Sequence, residues 1–168
     1  MAVDALNVNM NTSITGAYQK TDSTFGTTSK QIRYTLSQAF AFGTGNDQAN
    51  RLITSSGSVN STGFDFDVSG AIVDAFGDTV SMAKVVAVVI RNKETTSGRN
   101  LLVGAATFPV PLFNNSSDIV VIGPSGSFDL RNPDDGYPVV AGSADQIKLA
   151  AGGAYTVEYD LFILGRTV

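Results

Sequence analysis

The chain has no cysteine, no histidine and no tryptophan among its 168 residues. Without cysteine it can form neither a disulfide nor a thiolate metal site, and thiol catalysis is excluded. Without histidine it lacks the commonest general base and the commonest transition-metal ligand, so the Ser-His-Asp and Cys-His arrangements are also excluded. Because only carboxylates, lysines and hydroxyls remain for catalysis, we expect that the protein is not an enzyme.

Charged side chains are also scarce, at 15% of the residues, against roughly 25% in an average domain. The net charge is −4, and the eleven lysines and arginines are scattered along the chain. This pattern disfavours binding of nucleic acid through its phosphates and binding to an anionic membrane surface. A neutral polar surface suits broad contacts with other proteins that persist at high salt concentration.

Long apolar runs are absent as well. The longest covers residues 85–90, far fewer than the roughly 20 residues of a membrane-spanning helix. The first twenty residues lack the basic stretch and apolar run of a signal peptide, so we expect a soluble protein made in the cytoplasm. With 43% apolar residues, the chain is rich enough in apolar side chains to bury a core within one domain.

Residues 1–30 differ in composition from the rest, being rich in asparagine, serine and threonine. Within them Leu6, Val8 and Met10 alternate with asparagines, and strict alternation predicts a β-strand. Since no local hairpin partner is evident, we interpret residues 1–30 as an extended N-terminal arm that adds to the sheet edge of a neighbouring subunit. Leu6, Val8 and Met10 would then be the partner-binding residues. A flexible leader and the first strand of the domain are the alternatives.

Residues 31–168 carry the signals of an all-β domain. Short β-rich segments alternate there with glycine- and proline-containing turns, which favours a β-sandwich, with a jelly-roll-like arrangement as the finer prediction. The β-branched residues 84–91 predict a central strand buried on both faces. Gly152-Gly153 predicts a hairpin turn, and residues 71–76 a single helical turn. The predicted strands cover residues 32–40, 64–68, 84–91, 101–103, 119–122, 127–130, 138–141, 146–150 and 155–164.

Acidic clusters are the only candidates for chemistry. Asp129, Asp134 and Asp135 supply oxygen ligands of the kind that calcium prefers, but residues 132–136 have the composition of an ordinary turn. Asp65 and Asp67 share one face of a predicted strand, as the paired carboxylates of a glycosidase could. Their alternation with phenylalanines predicts that they face solvent. We therefore expect no metal, no cofactor and no catalytic residue.

The C-terminal half contains three segments that resemble small virion proteins of tailed bacteriophages. They are NPDDGYPV at residues 132–139, AGSADQIKL at 141–149 and VEYDLFILG at 157–165. The resemblance extends over about residues 30–166 and includes no catalytic motif. It implies a structural component of the phage particle, similar in size and β-rich character to the capsid cement or decoration class. The virion surface would be its location, and the major capsid protein and further copies of itself, as a homotrimer or homodimer, its partners.

The sequence leaves two other functions open. A tail- or neck-associated protein shares the same traits. A host-surface or carbohydrate-binding module would need exposed aromatic residues at one loop end, whereas the sequence places most aromatics, such as Tyr155 and Tyr159, in predicted strands.

Overall fold

The computed structural model describes residues 5–168, and within this range the chain forms strands, turns and loops without any helix. The predicted all-β class is confirmed. In the same range there is accordingly no helix of the length and apolar character that crossing a membrane requires.

In the described residues, fourteen strands form four sheets. A hairpin sheet has the order β1-β2-β3, a second sheet the order β10-β9-β13-β5, and a third the order β11-β8-β14-β4, in which β12 also pairs with β8. Strands β6 and β7 form a small separate pair. In chain order the strands are β1 (Val8–Asp22), β2 (Gly26–Phe42), β3 (Gln48–Ala49), β4 (Arg51–Val59), β5 (Phe64–Asp67), β6 (Ile72–Val73), β7 (Thr79–Val80), β8 (Lys84–Asn92), β9 (Leu101–Gly104), β10 (Ile119–Ile122), β11 (Ser127–Arg131), β12 (Tyr137–Pro138), β13 (Gln146–Ala151) and β14 (Val157–Arg166).

The second and third sheets, which we call the body, pack their apolar faces into one core. From β14, Tyr159, Leu161 and Ile163 point into this core and are at most 6% exposed. From the other sheet, Leu101 and Leu149 enter it and are fully buried. Two antiparallel sheets that share one core have the arrangement that favours the predicted sandwich, while the jelly-roll connectivity stays a prediction.

Strand β8 is central, as its sequence predicts. It pairs with β14 on one side and with β11 and β12 on the other. Val85 and Val88 point into the body core, whereas Val86 and Ala87 belong to a second apolar cluster on the outer face of the same sheet. A strand with apolar cover on both faces needs the nearly continuous apolar run seen in its sequence.

Three local predictions are wrong. The strand predicted at residues 138–141 is limited to the two residues of β12 (Tyr137–Pro138). Gly152-Gly153 does not close a hairpin, because β13 pairs with β5 and β9 whereas β14 pairs with β4 and β8. The turn instead carries the chain from one sheet of the body to the other. Residues 71–76 form no helical turn, since β6 lies there and pairs with β7.

Of the predicted N-terminal arm, residues 1–4 lie outside the described range, and residues 8–30 form β1, a turn and the start of β2 in a long hairpin. β1 pairs with β2 over its whole length, from Val8 opposite Phe40 to Asp22 opposite Gly26. The Asp22 carboxylate accepts hydrogen bonds from the amides of Thr24 and Phe25, at 2.8 and 3.1 Å, and thereby stabilises the turn. The boundary predicted between residues 30 and 31 consequently falls inside β2, and the structural unit is the hairpin of residues 8–42.

Candidate functional site

One face of the hairpin carries its large apolar residues, together with Thr12, Gln38 and, toward the tip, Lys20, Thr28 and Lys30, whereas the other face is polar. Residues directly opposite in an antiparallel pair point to the same side, and successive residues alternate between sides. By the observed register, Ile14 shares a side with Tyr34, and Gly16 with Ile32. The large apolar residues on that side, which we call the apolar face, are Ile14, Tyr18, Ile32, Tyr34 and Leu36. The other side carries Asn11, Ser13, Thr15, Ala17, Gln19, Thr21, Thr27, Ser29, Gln31, Arg33, Thr35 and Ser37.

The apolar face is exposed to solvent. Every residue from 11 to 37 is exposed, and Ile14, Tyr18 and Tyr34 are exposed by 57%, 70% and 55%. Between Thr12 and Asp22 the hairpin projects about 35 Å, at about 3.4 Å per residue. Two-stranded hairpins are only marginally stable in water on their own, and a contiguous exposed apolar patch marks an interaction surface. This surface is therefore the leading candidate for a functional site.

The base of the same face is covered by the protein's own body. Met10 and Phe40 are buried, at 8% and 0% exposure, against a cluster that includes Val86 and Leu164 on the outer side of the body. Val8 and Leu6 are partly buried against the same cluster. The three residues predicted to bind a partner, Leu6, Val8 and Met10, thus cover apolar side chains of β8 and β14 in their own chain. The residues left for a partner lie farther along the hairpin.

A polar latch fixes the hairpin to the body. The Arg131 guanidinium donates hydrogen bonds to the Met10 carbonyl at 3.0 Å and to the Thr12 hydroxyl at 2.8 Å. Arg131 also forms an ion pair with Asp129, and Asp129 accepts a hydrogen bond from the Thr12 hydroxyl at 3.2 Å. The hydrogen bond from Arg131 lowers the pKa of Asp129 below its usual value, although partial burial of the carboxyl acts in the opposite direction.

The three candidate calcium ligands do not form one cluster within residues 5–168. Asp129 lies on β11 in the latch just described, whereas Asp134 and Asp135 lie in the turn that follows. The Asp134 carbonyl accepts a hydrogen bond from the buried Arg166 guanidinium at 2.5 Å. Within residues 5–168 no three acidic side chains come close enough together to hold a metal ion.

Asp65 and Asp67, which were predicted to face solvent, are only partly exposed, and one Asp65 carboxylate oxygen is buried without a hydrogen-bond partner among the described residues. The Asp67 carboxylate accepts hydrogen bonds from the Ser69 amide and hydroxyl, both at 2.8 Å. Tyr159 lies in the body core at 6% exposure, and the Tyr155 hydroxyl donates to the Gly98 carbonyl at 2.8 Å. Burial of Tyr159 leaves no ring face for stacking a sugar, and the Arg99 guanidinium lies over the Tyr155 ring, 5.7 Å from its centroid.

The body has an apolar groove between the edge strands β4 and β5, which sequence reasoning missed. Its volume is about 420 Å³. Phe64 and Val73 are 55% and 56% exposed at its rim, while Phe66 and Tyr159 are buried. We call this feature the β4–β5 groove, and its lining includes Ile53, Ser55, Val59, Phe64, Phe66, Ile72, Val73 and Tyr159.

Comparisons of the chain with protein-family models, with curated proteins and with solved structures find no match. The functional interpretation therefore rests on the hairpin, the groove and the resemblance of the C-terminal segments.

Proposed function

We propose that the protein is a non-enzymatic structural component of a tailed-phage particle, a capsid cement or decoration protein that binds the outer surface of the shell. The observation that supports this role is the projecting hairpin with its exposed apolar face. The bacteriophage context comes from the resemblance of residues 132–165. Major capsid protein and further copies of this chain, as a dimer or trimer, are the proposed partners.

The proposed mechanism is stabilisation by mass action. A protein that binds the assembled shell and not the separate subunits shifts the equilibrium toward the shell. The body supplies a packed, rigid platform, and the hairpin reaches about 35 Å beyond it at about 3.4 Å per residue. With only 15% charged residues, the contacts depend on apolar burial and main-chain hydrogen bonds, which salt screens little.

Copy number in purified virions tests the proposed location. We would quantify this protein by mass spectrometry against the major capsid protein. A ratio of the same order as that of the capsid protein is the expected result for a cement protein. A ratio far below that of the capsid protein would instead assign the chain to the tail or neck, and absence from virions would refute the proposal.

Shortening the hairpin tests the proposed mechanism. We would replace residues 13–35 by an Asn-Gly turn that joins Thr12 to Leu36, because these two residues are paired in the register. The latch and the buried base stay in place, so the body is expected to fold as before, with an unchanged circular dichroism spectrum. Attachment to shells that lack the protein should be lost. Full attachment of a folded, shortened protein would contradict the mechanism.

A further inference from the structure

We propose that the β4–β5 groove of one copy accepts the hairpin of a second copy, with β1 of the donor added to the free edge of β4. This inference rests on the proposed assembly role of the hairpin and names its partner. Three features of the described residues support it: the unprotected edge of β4, the matching faces of the hairpin, and the distribution of charge.

Apart from Arg51 at its first position and residues 71–76 beside its first half, the edge of β4 lacks the usual protection against pairing. In the described part of the chain β4 pairs with β14 alone. Exposed edges normally carry lysine, proline or a bulge that prevents another strand from adding to them. From Leu52 to Val59 the sequence LITSSGSV contains no charge and no proline, and its pairing with β14 is regular throughout. Such an edge is suited to accept a further strand.

The groove beside this edge is open because β4 has small residues where its inner face would otherwise be filled. Ser55 lies opposite Leu161, and Gly57 lies opposite Tyr159. Phe64 and Val73 remain more than half exposed at the rim. Side chains from an added strand would occupy this space and continue the body core outward.

The hairpin has the complementary shape and polarity. Among the described residues, β1 pairs with β2 alone, so its outer edge is also available. When β1 extends the sheet beyond β4 with its apolar face toward the groove, Ile14 and Tyr34 are placed to cover Phe64 and Val73. The polar face of the hairpin then continues the outer surface of the sheet beside β4, which carries the exposed residues Thr54, Ser56 and Ser58. The reverse orientation would expose the apolar face and bury polar side chains, which is unfavourable.

The opposite net charges of the hairpin and the rest of the chain favour the body of another copy as the partner of the hairpin. The hairpin, residues 8–42, carries three of the eleven basic side chains and one of the fifteen acidic ones, a net charge of +2, so the rest of the chain carries −6. Opposite net charges attract a hairpin to a neighbouring body. Pairing of two hairpins would instead bring together like charges from Lys20, Lys30 and Arg33.

The area of contact approaches that of a specific interface when the groove of every copy accepts a hairpin. Covering the apolar face removes on the order of 500 Å² of hairpin surface from water, and a similar area of the groove, near the roughly 1,000 Å² expected of a specific interface. Each copy donates one hairpin and accepts one. A closed dimer or trimer therefore buries two such contacts per copy.

Cross-linking between cysteines tests the contact directly, since the native chain contains none. One protein would carry Ser13→Cys on the hairpin, and a second, differently tagged protein Ser56→Cys on β4; both positions are exposed. The two are mixed and treated with a short thiol cross-linker. A matched control replaces Ser56→Cys by Ser116→Cys, an exposed position in the loop before β10.

The 13–56 product is expected to exceed the 13–116 product about tenfold or more, because docking raises the effective concentration of the two thiols. Equal yields would overturn the inference, as would a preference for hairpin-to-hairpin products in the Ser13→Cys protein alone.

The Ser55→Lys variant, with a charge pointing into the groove, separates this inference from the proposed function. If it stays folded and fails to self-associate, the inference is supported whether or not it attaches to shells. If it self-associates as the wild type does, the groove is not the acceptor. The copy number in purified virions tests the proposed function independently, because it does not depend on how the hairpin is covered.

Discussion

The body and the hairpin are built from strands with the same alternation of apolar and polar residues, yet the alternation has different consequences. On β14 the apolar side chains Tyr159 and Ile163 are buried between two sheets. On the hairpin Ile14 and Tyr34 are more than half exposed. Alternation thus indicates which face of a strand must be covered. It does not indicate whether the same chain or another molecule covers it.

The hairpin itself has both buried and exposed apolar residues on one face. Met10 and Phe40 lie on the same side of the hairpin as Ile14 and Tyr34, and the outer face of the body buries them. One continuous apolar surface is therefore covered along its first part by the protein's own body and uncovered along the rest. This continuity supports the interpretation that a second molecule covers the remainder.

The largest expected difference between the two regions is in stability. Ile163→Ala removes a fully buried side chain from the body core and should lower the free energy of unfolding by about 2–5 kcal/mol. Tyr34→Ala, measured on dilute monomer, should change it by less than about 0.5 kcal/mol. Denaturant titration of both variants at low protein concentration measures the difference. Similar losses for the two would mean that the hairpin contributes to the fold of the monomer as the core does.

An intermediate effect is expected at the latch. Arg131→Ala removes hydrogen bonds to Asp129, Thr12 and the Met10 carbonyl, and bonds of charged groups contribute about 1.5–3 kcal/mol. Hydrogen exchange of the β1 amides should accelerate, while that of β8 should stay slow. Arg91→Ala, at an exposed position of β8, serves as the control. Equal acceleration in both variants, or in both strands, would contradict a local latch.

The smallest expected effect is the dependence of the latch on pH. Because Arg131 lowers the pKa of Asp129 in the folded protein, the latch is strongest above the unfolded carboxyl pKa of about 3.9 and is lost as pH falls through the lower folded value. Titration of the Asp129 carboxyl by NMR should give a midpoint below about 3.9. In the Arg131→Ala variant the midpoint should rise. A midpoint that is the same in both proteins would exclude the ion pair as its cause.

Much of the body could be predicted from the sequence. The β-branched run of β8 and the alternation of β14 identify these strands because burial of one or both faces leaves a direct pattern in the residue types. Strand β4 was missed because Ser55 and Gly57 occupy inward positions where a closed core would need large apolar residues. The local signal fails there because the groove is open.

The hairpin was predicted only in part. The alternation of Leu6, Val8 and Met10 predicts a strand correctly, but its partner β2 was separated from it by a turn that the sequence reasoning overlooked. That turn depends on the Asp22 carboxylate and on Gly26, whose positive φ of 78° suits glycine. Which apolar residues bind the body and which face solvent depends on how far the hairpin projects, and this information is not contained in the alternation itself.

The most direct test of the central claim is the molar mass of the protein in solution, measured by light scattering for two charge variants of the hairpin. Ile14→Lys places a charge on the apolar face, and Thr15→Lys adds the same charge to the polar face one residue away. The wild type and Thr15→Lys are expected to have the mass of a closed oligomer, and Ile14→Lys at the same concentration that of a monomer. A monomeric wild type, or an unchanged oligomer in Ile14→Lys, would contradict the claim that a second copy covers the apolar face.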